Sequence, residues 1–561
     1  MGVWKKLAYR IERLRVKYPD SDRKALARLG IWCFRALLKP RRFYAEERST
    51  FPKRLIRSFD AARSDGSLKL LFLLSGGLGD LVATGPFFKA LRRRFPDDAV
   101  RFYVAASASR DALSAIFRGF GFLELVERNA LETPDFSEKF DAIFDVNRLP
   151  NVLACDRETL AFFSPDVAEY VERLSASAAA RPTLFQTYSN ADYSQVAFAL
   201  ANGRSMRTQC DFDGFLGLTE AERPLAALDE TVADVLKNNG LKPGEYATLQ
   251  RGVGGGPTSK KNVRLWPWRY YRELVAKTRA EFPTLKLVWL GRRGDESADE
   301  EAASGDLDLR DATSFEELKF LLKNSALHID GECGMPHVAH TLGARSAVFW
   351  GQTQPAYCGY SENINVFAPD GCPFPCGFSL NDWQTNCARG FEEPPCMTRL
   401  TPELFFDAIR PALREIVERP KFDWERVEET TSQTIENVGD NDGAKSENAA
   451  ETTLFLGDFP LETLLEARRS GKRVLWFSLR TSPKAIVESR ALGIDADWAD
   501  ATNVPEKDGT LDRIVCDVEE PSECVRRELL RVAKIGGTAR FGKNGGVWRK
   551  RVVGNDGTSE N

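Results

Sequence analysis

The stretch that decides the fold runs from residue 68 to residue 96 and reads LKLLFLLSGGLGDLVATGPFFKALRRRFP. It begins with an apolar run, interrupted only by Lys69, that predicts a strand buried on both faces. A glycine-rich turn follows, and a helical pattern of apolar residues then continues to Pro96, which ends the helix. A strand, a loop and a helix in this order predict one unit of an open α/β sheet.

Further strand-like runs follow in two series. The runs VRFYVAAS, FLELVE and FDAIFDVN are short, apolar and bounded by polar or turn residues, as buried parallel strands are. A second series starts at Tyr246 and contains the strand-like runs YATLQRG, LKLVWLG, DLDLRD, ALHID and SAVFWG. The runs YYRELVAKTRAEFP and SFEELKFLLKNS between them predict helices. Two doubly wound sheets in series predict a ligand cleft at the carboxyl ends of their strands.

At 561 residues the chain is too long for one hydrophobic core. The predicted parts are a basic helical N-terminal arm (1–66), a Rossmann-like acceptor domain (67–240), a Rossmann-like nucleotide-sugar domain (241–420), an acidic disordered linker (428–453) and a small α/β module (454–553). The linker has no aromatic residue and few large apolar ones, so it cannot bury enough surface to fold alone. In the last module, RVLWFSL and LDRIVCDV predict strands, and CVRRELLRVAK predicts a helix ended by Gly536 and Gly537.

The formal net charge of -3 hides a basic N-terminal segment, since residues 1–64 carry 18 Lys and Arg against 6 Asp and Glu. Such a segment suits an anionic membrane or a phosphorylated glycolipid, and it equally suits a solvated helical extension packed on the body. No recognisable nucleic-acid module accompanies the charge, so we expect no nucleic-acid partner. Because the sequence also lacks a long apolar run and a secretion signal, we expect a cytoplasmic protein.

Two glycine-rich segments follow predicted strands. In Ser75-Gly-Gly-Leu-Gly-Asp80 the glycines let the backbone approach a ligand and the carboxylate lies on the cleft floor, although such a turn can also serve packing alone. The segment RGVGGGPTSKKNVRLWP, which begins at Arg251, combines flexible backbone amides with Lys260, Lys261 and Arg264. This combination favours a diphosphate cradle over a loop whose charges serve only solubility.

A third motif, DGECGMPHVAHTLG, runs from Asp330 to Gly343 and contains two of the three histidines of the chain. It leads from a strand into a helix, whose N-terminus favours a bound phosphate. Its His, Glu and Asp side chains could instead ligate a metal, or His337 and Cys333 could form a nucleophile pair. The spacing requires neither of these.

The order of these motifs resembles glycosyltransferase family 9, whose best-known members are the heptosyltransferases of the lipopolysaccharide inner core. The resemblance covers residues 67–415 and rests on the G-D turn, the basic loop ending in Trp266-Pro267, the helix motif D-S/T-G-x-x-H-x-A and the strand ending in Gly351-Gln-Thr353. It implies the α/β fold GT-B, in which two Rossmann-like doubly wound domains face a cleft. It also implies inversion at the anomeric carbon without a catalytic divalent metal.

The resemblance further implies roles for individual residues. Asp80 matches the carboxylate proposed as general base, and Arg264 stands where the family usually has a Lys that would hold the departing diphosphate. The implied donor and nucleotide site consists of Gly79, Lys261, Glu332, Cys333, Gly334, His337 and Thr353. Two of these depart from the family pattern, because Glu332 replaces Asp and Cys333 replaces Ser or Thr. A glutamate can still reach ribose hydroxyls, whereas a thiol is a poor donor to phosphate.

By this resemblance we expect a bacterial enzyme of lipopolysaccharide biosynthesis that transfers heptose, the family default, from ADP-heptose to a lipopolysaccharide-core or related surface-glycan acceptor. We expect no cofactor in catalysis, and peripheral association with the inner face of the cytoplasmic membrane through the basic arm. Two alternatives stay open. The last module weakly resembles the end of an S-adenosylmethionine methyltransferase, and the changes at Glu332 and Cys333 are compatible with an inactive nucleotide-sugar-binding scaffold.

Four cysteines are clustered with the spacing C-x3-C-x10-C-x8-C, at Cys372, Cys376, Cys387 and Cys396. Four thiolates on a loop rich in Pro and Phe could hold a structural zinc or iron tetrahedrally, with the metal replacing a core that the loop cannot build. Similar cysteines recur in related transferases. Free or paired thiols are the alternative interpretation.

Overall fold

The computed structural model describes most of the chain. The described residues are 55–57, 66–106, 108–133, 136–182, 184–185, 191–251, 263–292, 307–369, 372, 376–378, 384–419, 421–427, 450–542 and 546–553. Most of the predicted basic arm, the predicted linker as far as residue 449, and Lys261 lie outside these residues. What the sequence predicts for those parts stays a prediction.

The first unit is a five-stranded sheet, and it confirms the strands predicted after residue 67. Its strands, in the order β3-β2-β1-β4-β5, are β1 (Leu68–Leu74), β2 (Val100–Ala106), β3 (Leu123–Glu127), β4 (Ala142–Asn147) and β5 (Leu149–Cys155). The first four are parallel, because helical crossovers connect them. The sequence does not predict β5. Arg148 adopts a φ of +68° and turns the chain back, so β5 pairs antiparallel with β4 at the sheet edge.

The helix predicted after β1 is divided in two. The helices of this unit are α1 (Leu78–Ala83), α2 (Gly85–Arg94), α3 (Arg110–Ile116), α4 (Arg128–Glu132), α5 (Arg157–Phe163), α6 (Pro165–Ala180) and α7 (Ala191–Ala201). The division falls at Thr84, because Pro86 has no N–H with which to continue the helical hydrogen bonds. Phe72 of β1 is fully buried and lies within 6.1 Å, between ring centroids, of Phe87, Phe88, Phe102 and Phe144.

The second unit is a six-stranded parallel sheet, which confirms the second predicted series. In the order β11-β10-β9-β6-β7-β8, its strands are β6 (Tyr246–Leu249), β7 (Lys286–Trp289), β8 (Leu307–Asp308), β9 (Leu327–Gly331), β10 (Ser346–Trp350) and β11 (Ile364–Phe367). Its helices are α8 (Asp234–Asn238), α9 (Trp268–Glu281), α10 (Phe315–Asn324), α11 (Gly334–Thr341), α12 (Pro355–Cys358), α13 (Pro395–Thr398) and α14 (Pro402–Glu418). Trp266 is fully buried in the core of this unit and donates a hydrogen bond to the carbonyl of Leu400 at 2.7 Å.

The third unit is a seven-stranded sheet in the order β12-β18-β17-β16-β13-β14-β15. Its strands are β12 (Lys421–Val427), β13 (Thr452–Leu456), β14 (Arg473–Phe477), β15 (Asp495–Asp497), β16 (Leu511–Cys516), β17 (Ala533–Phe541) and β18 (Val547–Val553). Its helices are α15 (Leu461–Arg469), α16 (Pro483–Ala491) and α17 (Glu523–Val532). Only β18 runs against its neighbours β12 and β17; the other pairs are parallel.

Two details of the sequence prediction for this unit are wrong. The strand β13 begins at Thr452, inside the predicted linker, and lies between β14 and β16, so the module has an interior strand before RVLWFSL that the sequence does not predict. The predicted helix CVRRELLRVAK ends at Val532, because Ala533 already pairs with Leu511 of β16. Gly536 and Gly537 therefore lie within β17, beside an irregularity in its pairing, and do not end a helix.

The predicted fold class is confirmed: two Rossmann-like sheets in the GT-B arrangement and a small α/β C-terminal module.

The first and third units share one hydrophobic core, in which Trp498 after β15 lies 5.5 Å from the ring of Phe122. A buried ion pair joins the same two units. The Lys89 ammonium is fully buried, 2.7 Å from the Asp497 carboxylate and 3.4 Å from that of Glu222. The module is thus packed into the first unit and is not tethered beside it.

None of the helices in the described part of the chain is long and apolar enough to cross a membrane.

The buried pair predicts a large effect of one lysine on stability. Lys89→Met should lower the free energy of unfolding by about 3 kcal/mol, because it leaves the buried Asp497 without its nearest cation. Lys484→Met is the matched control: Lys484 is 77% exposed and pairs only at the surface, 3.9 Å from Glu488, so its loss should change stability by less than about 0.5 kcal/mol. Chemical denaturation of both variants tests this, and equal stabilities would show that the buried pair contributes nothing.

Candidate functional site

The candidate site lies where the strand order of each sheet reverses. In the first sheet this point is between β1 and β4, and in the second sheet it is between β6 and β9. Open α/β sheets bind ligands there, at the carboxyl ends of the strands. Asp80 follows β1 and Arg148 follows β4, while Glu332 follows β9. The chain order of the strands thus brings residues far apart in sequence to two facing edges.

The two sheets meet through glycines at the starts of α1 and α11. A Cβ atom on Gly79 would lie 2.7 Å from the Cδ2 of His337, and one on Gly334 would lie 2.8 Å from the Cβ of Leu78. Real Cβ atoms do not approach other atoms so closely, and any larger residue would force the helices apart. Both predicted site glycines therefore set the separation of the two halves at the cleft.

Asp80 is held in the first turn of α1. Its Oδ2 accepts a hydrogen bond from the backbone N–H of Gly77 at 2.7 Å, which closes the turn that precedes the helix. Gly76 has a φ of +116°, and a Cβ at this position would lie 2.6 Å from the Asp80 carboxyl group. The turn can therefore place the carboxylate only if residue 76 is glycine. Asp80 is half-buried, so it remains partly accessible to solvent.

Glu332 organises the facing edge of the second sheet. Its carboxylate pairs with the Arg264 guanidinium, which also donates to the Glu332 carbonyl, and it accepts a hydrogen bond from the Thr353 hydroxyl at 3.0 Å. Arg264 and Glu332 are both largely shielded from solvent, with 12% and 14% of their side chains exposed. Three residues predicted from separate motifs thus form one connected group. Lys261, which the sequence adds to this group, lies outside the described residues.

The two edges are close enough to act on the same buried group, the thiol of Cys358 at the end of α12. Burial raises the pKa of this thiol well above its ordinary value. The carboxylates of Glu332 and Asp80 raise it further, and the guanidinium groups of Arg148 and Arg264 lower it. Two groups of the first unit and two of the second therefore lie within electrostatic range of one thiol. Together with the contact of α1 and α11 at Gly79 and Gly334, this defines the candidate active site.

Cys333 is turned into the protein. Its thiol is 6% exposed, donates a hydrogen bond to Asp330 Oδ2 at 2.9 Å and caps α11 by accepting from the backbone N–H of Met335. Burial raises the pKa of the thiol well above its ordinary value, so it stays protonated at neutral pH. A protonated thiol engaged with a carboxylate is not a nucleophile, which argues against the Cys333 and His337 pair considered from the sequence.

Asp330 belongs to a buried polar chain beneath α11. His328 lies between the Thr248 hydroxyl, 3.0 Å from its Nδ1, and Asp330, 3.4 Å from its Nε2. Burial raises the pKa of the Asp330 carboxyl, while its bonds to His328, to Cys333 and to the Gly331 N–H offset part of that increase. The chain ties β6, β9 and the start of α11 together. Its role is to hold the helix, since the polar atoms face one another and are not exposed to the cleft.

His337 and His340 also pack inward. His337 is 3% exposed, and its Nδ1 lies 2.7 Å from the Tyr360 hydroxyl. Burial lowers the pKa of His337 to about 4, so the imidazole is neutral at physiological pH. His340 pairs with Glu362 at 2.6 Å and stacks on the Tyr360 ring. The structure therefore places His337 against Gly79 at the contact between the two units, where it supports the site from behind.

The sequence reasoning missed Arg148 and Tyr360, and it considered Asp330 only as part of a possible metal cluster. Arg148 carries the clearest signal, because it follows the predicted strand FDAIFDVN and carboxyl ends of parallel strands are where ligands bind. Its positive φ, its position 4.8 Å from the Phe378 ring and its influence on Cys358 become visible only in three dimensions. Tyr360 lies in an irregular loop and has no sequence signal.

The four clustered cysteines line one small cavity behind Thr353. Cys372, Cys376, Cys387 and Cys396 share its wall with Gln352, whose buried amide group has no hydrogen-bond partner in the described part of the chain. Gly377 of the same loop donates to the Gln352 carbonyl at 2.8 Å and so supports the end of β10. Among the described residues, however, no three His, Cys, Asp or Glu side chains have the grouping of a metal site. The structural metal thus stays a prediction.

The second unit matches a known family of sequences. Residues 242–375 match glycosyltransferase family 9 (heptosyltransferase). This segment contains Arg264, Glu332, His337 and Thr353, so the match confirms the resemblance that these motifs carry and supports a glycosyltransferase. No curated protein matches the chain.

Three solved structures illustrate the similarity. The E. coli ADP-heptose lps heptosyltransferase II is 16% identical with a TM-score of 0.39, over 62% of this chain and 99% of that one. The glycosyl transferase family 9 from Veillonella parvula DSM 2008 is 12% identical with a TM-score of 0.39, over 62% and 97%. The iron-containing dodecameric glycosyltransferase TibC from enterotoxigenic E. coli H10407 is 15% identical with a TM-score of 0.42, over 63% and 82%.

The buried His337 predicts a specific pH dependence of stability. Its pKa is about 4 in the folded protein and about 6.5 when unfolded, so the unfolded state binds the proton more readily between these values. Stability from this group is therefore complete above pH 6.5 and falls as the pH drops toward 4. Between pH 7.5 and pH 5 the loss should be about 2 kcal/mol, and His337→Gln should remove it.

Urea denaturation at the two pH values measures this difference in the wild type and the variant. His340→Gln is the matched control, because His340 is one-fifth exposed and is compensated by Glu362, so its loss should flatten the pH dependence much less. If the free energy of unfolding of His337→Gln depends on pH as strongly as that of the wild type, the imidazole titrates normally in the folded protein.

Proposed function

We propose that the chain is an inverting glycosyltransferase that transfers a sugar from a nucleoside-diphosphate sugar to a lipopolysaccharide-core or related surface-glycan acceptor. The observation that carries the proposal is the contact of α1 with α11 at Gly79 and Gly334, which brings the turn that carries Asp80 beside the turn that carries Glu332 and its partner Arg264. A carboxylate and a guanidinium on opposite sides of one cleft are the groups that displacement of a diphosphate by a hydroxyl group requires. The family match supports the same reaction class.

In this proposal Asp80 is the general base. Its carboxylate accepts the proton of the acceptor hydroxyl as that oxygen forms a bond to the anomeric carbon, and the bond from that carbon to the diphosphate breaks. The electron pair of the broken bond leaves with the diphosphate. Attack on the face opposite the leaving group inverts the anomeric centre. The reaction needs no divalent metal if protein cations offset the charge that develops on the diphosphate.

Arg264 is the proposed cation for the diphosphate. A guanidinium can bind two phosphate oxygens at once, and this one is already oriented by Glu332 and through it by Thr353. Glu332 has two carboxylate oxygens, so it can orient Arg264 and also accept a hydrogen bond from a ribose hydroxyl. Lys261 is proposed to add a second charge from the glycine-rich loop. Orienting these groups before the ligand binds reduces the reorganisation that the transition state would otherwise need.

The donor and acceptor follow from the family resemblance. We propose ADP-heptose as donor and a glycolipid or surface glycan as acceptor, with the basic arm associating peripherally with the inner face of the cytoplasmic membrane. The enzyme would act in the cytoplasm of a bacterium and bind no nucleic acid. The excess of cations in residues 1–64 supports contact with an anionic surface.

We also propose that the cysteine loop binds a structural zinc or iron. The four thiols and the buried Gln352 amide around one cavity support this proposal. Thiolates suit both metals, and the loop lies directly behind the strand end that carries Thr353. A metal there would fix the loop without taking part in the reaction.

The first experiment is a thermal-shift and calorimetry panel with ADP, UDP, GDP, CMP and S-adenosylmethionine. A ligand that binds only the folded protein must stabilise it. Selective stabilisation by ADP supports the proposed donor, and another nucleoside diphosphate would change the nucleotide while keeping the reaction class. Stabilisation by S-adenosylmethionine alone would refute the proposal and favour a methyltransferase.

Substitutions at Asp80 and Arg264 should affect turnover and nucleotide binding separately. Asp80→Asn should lower kcat by roughly 10²- to 10⁴-fold, the usual contribution of a general base, with little change in nucleotide affinity. Arg264→Ala should weaken nucleoside-diphosphate binding by about tenfold or more, because it removes a charge-assisted contact. Calorimetric titration and a transfer assay measure both effects.

The matched controls are exposed residues on neighbouring helices. Asp111→Asn on α3 and Arg272→Ala on α9 make the same chemical changes away from the cleft and should leave both quantities at wild-type values. Near-normal turnover of Asp80→Asn would exclude it as the base. Nucleotide binding by the wild type without any turnover would instead support the inactive scaffold.

Elemental analysis tests the proposed metal. Protein purified without chelators should contain about one equivalent of zinc or iron per chain, and the double variant Cys387→Ser and Cys396→Ser should lose it and melt at a lower temperature. Cys155→Ser, at a half-buried thiol of β5, is the matched control and should retain the metal. Metal-free wild-type protein would show that the cavity is simply lined by free thiols.

A further inference from the structure

The third unit extends one loop, residues 500–506 after β15, between the other two units. We call it the wedge loop. Its Asn503 is 4% exposed and contacts three separate elements. Its side-chain nitrogen donates to the carbonyl of Thr341 at 2.8 Å and to that of Ala226 at 3.2 Å, and its oxygen accepts from the Lys323 ammonium at 2.8 Å. One amide side chain thus joins α11, α10 and residues 224–228, which belong to the segment that connects the first two units and are called the connecting segment below.

Neighbouring residues strengthen the same junction. The Thr502 hydroxyl accepts a hydrogen bond from the backbone N–H of Leu228, again in the connecting segment, at 3.2 Å. Lys323 also donates to the Leu342 carbonyl at 2.9 Å and pairs with the buried Glu528 of α17 at 2.9 Å. The C-terminal end of α11 is therefore held by Asn503 of the third unit and by Lys323, which pairs with Glu528 of the third unit.

The third unit is anchored to the first unit on its other side. The Arg223 guanidinium makes two hydrogen bonds to Asp495 of β15, at 2.9 and 2.7 Å, and pairs with Glu506 of the wedge loop at 3.1 Å. The buried pair of Lys89 and Asp497 lies next to it. Because these contacts hold the strand before the wedge loop and Glu506 at its end, the loop cannot shift without breaking charged contacts to the first unit.

The ligand-binding edge of the third sheet is filled by its own residues. At the strand-order reversal between β13 and β16, the Asp517 carboxylate occupies the space beside Gly457 and accepts a hydrogen bond from the backbone N–H of Asp458 at 2.8 Å. Asp458 in turn accepts from the Ser478 hydroxyl at 3.0 Å. A nucleotide or S-adenosylmethionine at this edge would have to displace a carboxylate that already satisfies the turn.

We propose that the third unit is an interdomain brace: through Asn503 it fixes the C-terminal end of α11 and the connecting segment, and so sets the orientation of the second unit toward Asp80. The N-terminal end of the same helix faces Gly79 and carries Glu332 just before it. A helix held at both ends cannot tilt, so the spacing across the cleft is set from a unit outside it. The consequence for transfer rests on the proposed function, whereas the bracing itself does not.

Hydrogen exchange of the full chain without any ligand tests the brace. In Asn503→Ala, amide exchange should become at least about tenfold faster in α11 and residues 224–228, because both lose a hydrogen bond donated by the same side chain, whereas Lys323 of α10 keeps its contacts with Leu342 and Glu528. The matched control is Thr510→Ala, which removes a polar group of the same unit that bonds only locally, to the Lys507 carbonyl. Its exchange should match the wild type everywhere.

A second variant separates bracing from a general loss of stability. Asn503→Asp keeps the oxygen that accepts from Lys323 but replaces both donated bonds by an oxygen that faces two carbonyls, so it should speed exchange in the same two segments while exchange in the strands of the third sheet stays at the wild-type rate. Wild-type exchange in α11 in both variants would overturn the proposal, as would a uniform increase over the whole chain. If the wild type binds no nucleotide, the proposed function fails. The exchange rates of the variants still show whether the third unit braces α11.

Discussion

The close approach of α1 and α11 is the constraint on which the rest of the candidate site depends. Gly79 and Gly334 lack a Cβ where one would collide with the opposite helix, so the two sheets meet at backbone distance. This contact places the turn that carries Asp80 beside the turn that carries Glu332 and its partner Arg264. Glycine at these positions therefore sets the width of a cleft as well as the shape of two turns.

Behind this contact, the second unit uses buried polar groups to hold α11. Asp330 ties its capping residue Cys333 to the strand beneath it, and Tyr360 holds His337 from the side. Buried polar groups are costly unless they pair, and here the side chains of Asp330, Cys333 and His337 each pair within the second unit. The helix that faces the proposed nucleotide is consequently rigid before any ligand arrives, which suits electrostatic stabilisation of a leaving diphosphate.

The third unit shows how a complete doubly wound sheet can serve without a ligand of its own. Its binding edge is closed by Asp517, while Asp495 and Asp497 of its edge strand point their charges at cations of the first unit. Such a sheet has a stable core and a rigid edge, and both are useful in a structural part. Its large shared core with the first unit makes independent motion of the module unfavourable.

By itself the sequence determined the two sheets and predicted most of the candidate site. Buried parallel strands are continuous apolar runs, and ligand residues follow their carboxyl ends, so Asp80, Arg264 and Glu332 could be identified from local pattern. Only the tertiary structure decided that β13 is a central strand, that Cys333 and His337 face inward and that Arg148 joins the site. These outcomes depend on which surface packs against a distant part of the chain, and local sequence carries no record of that contact.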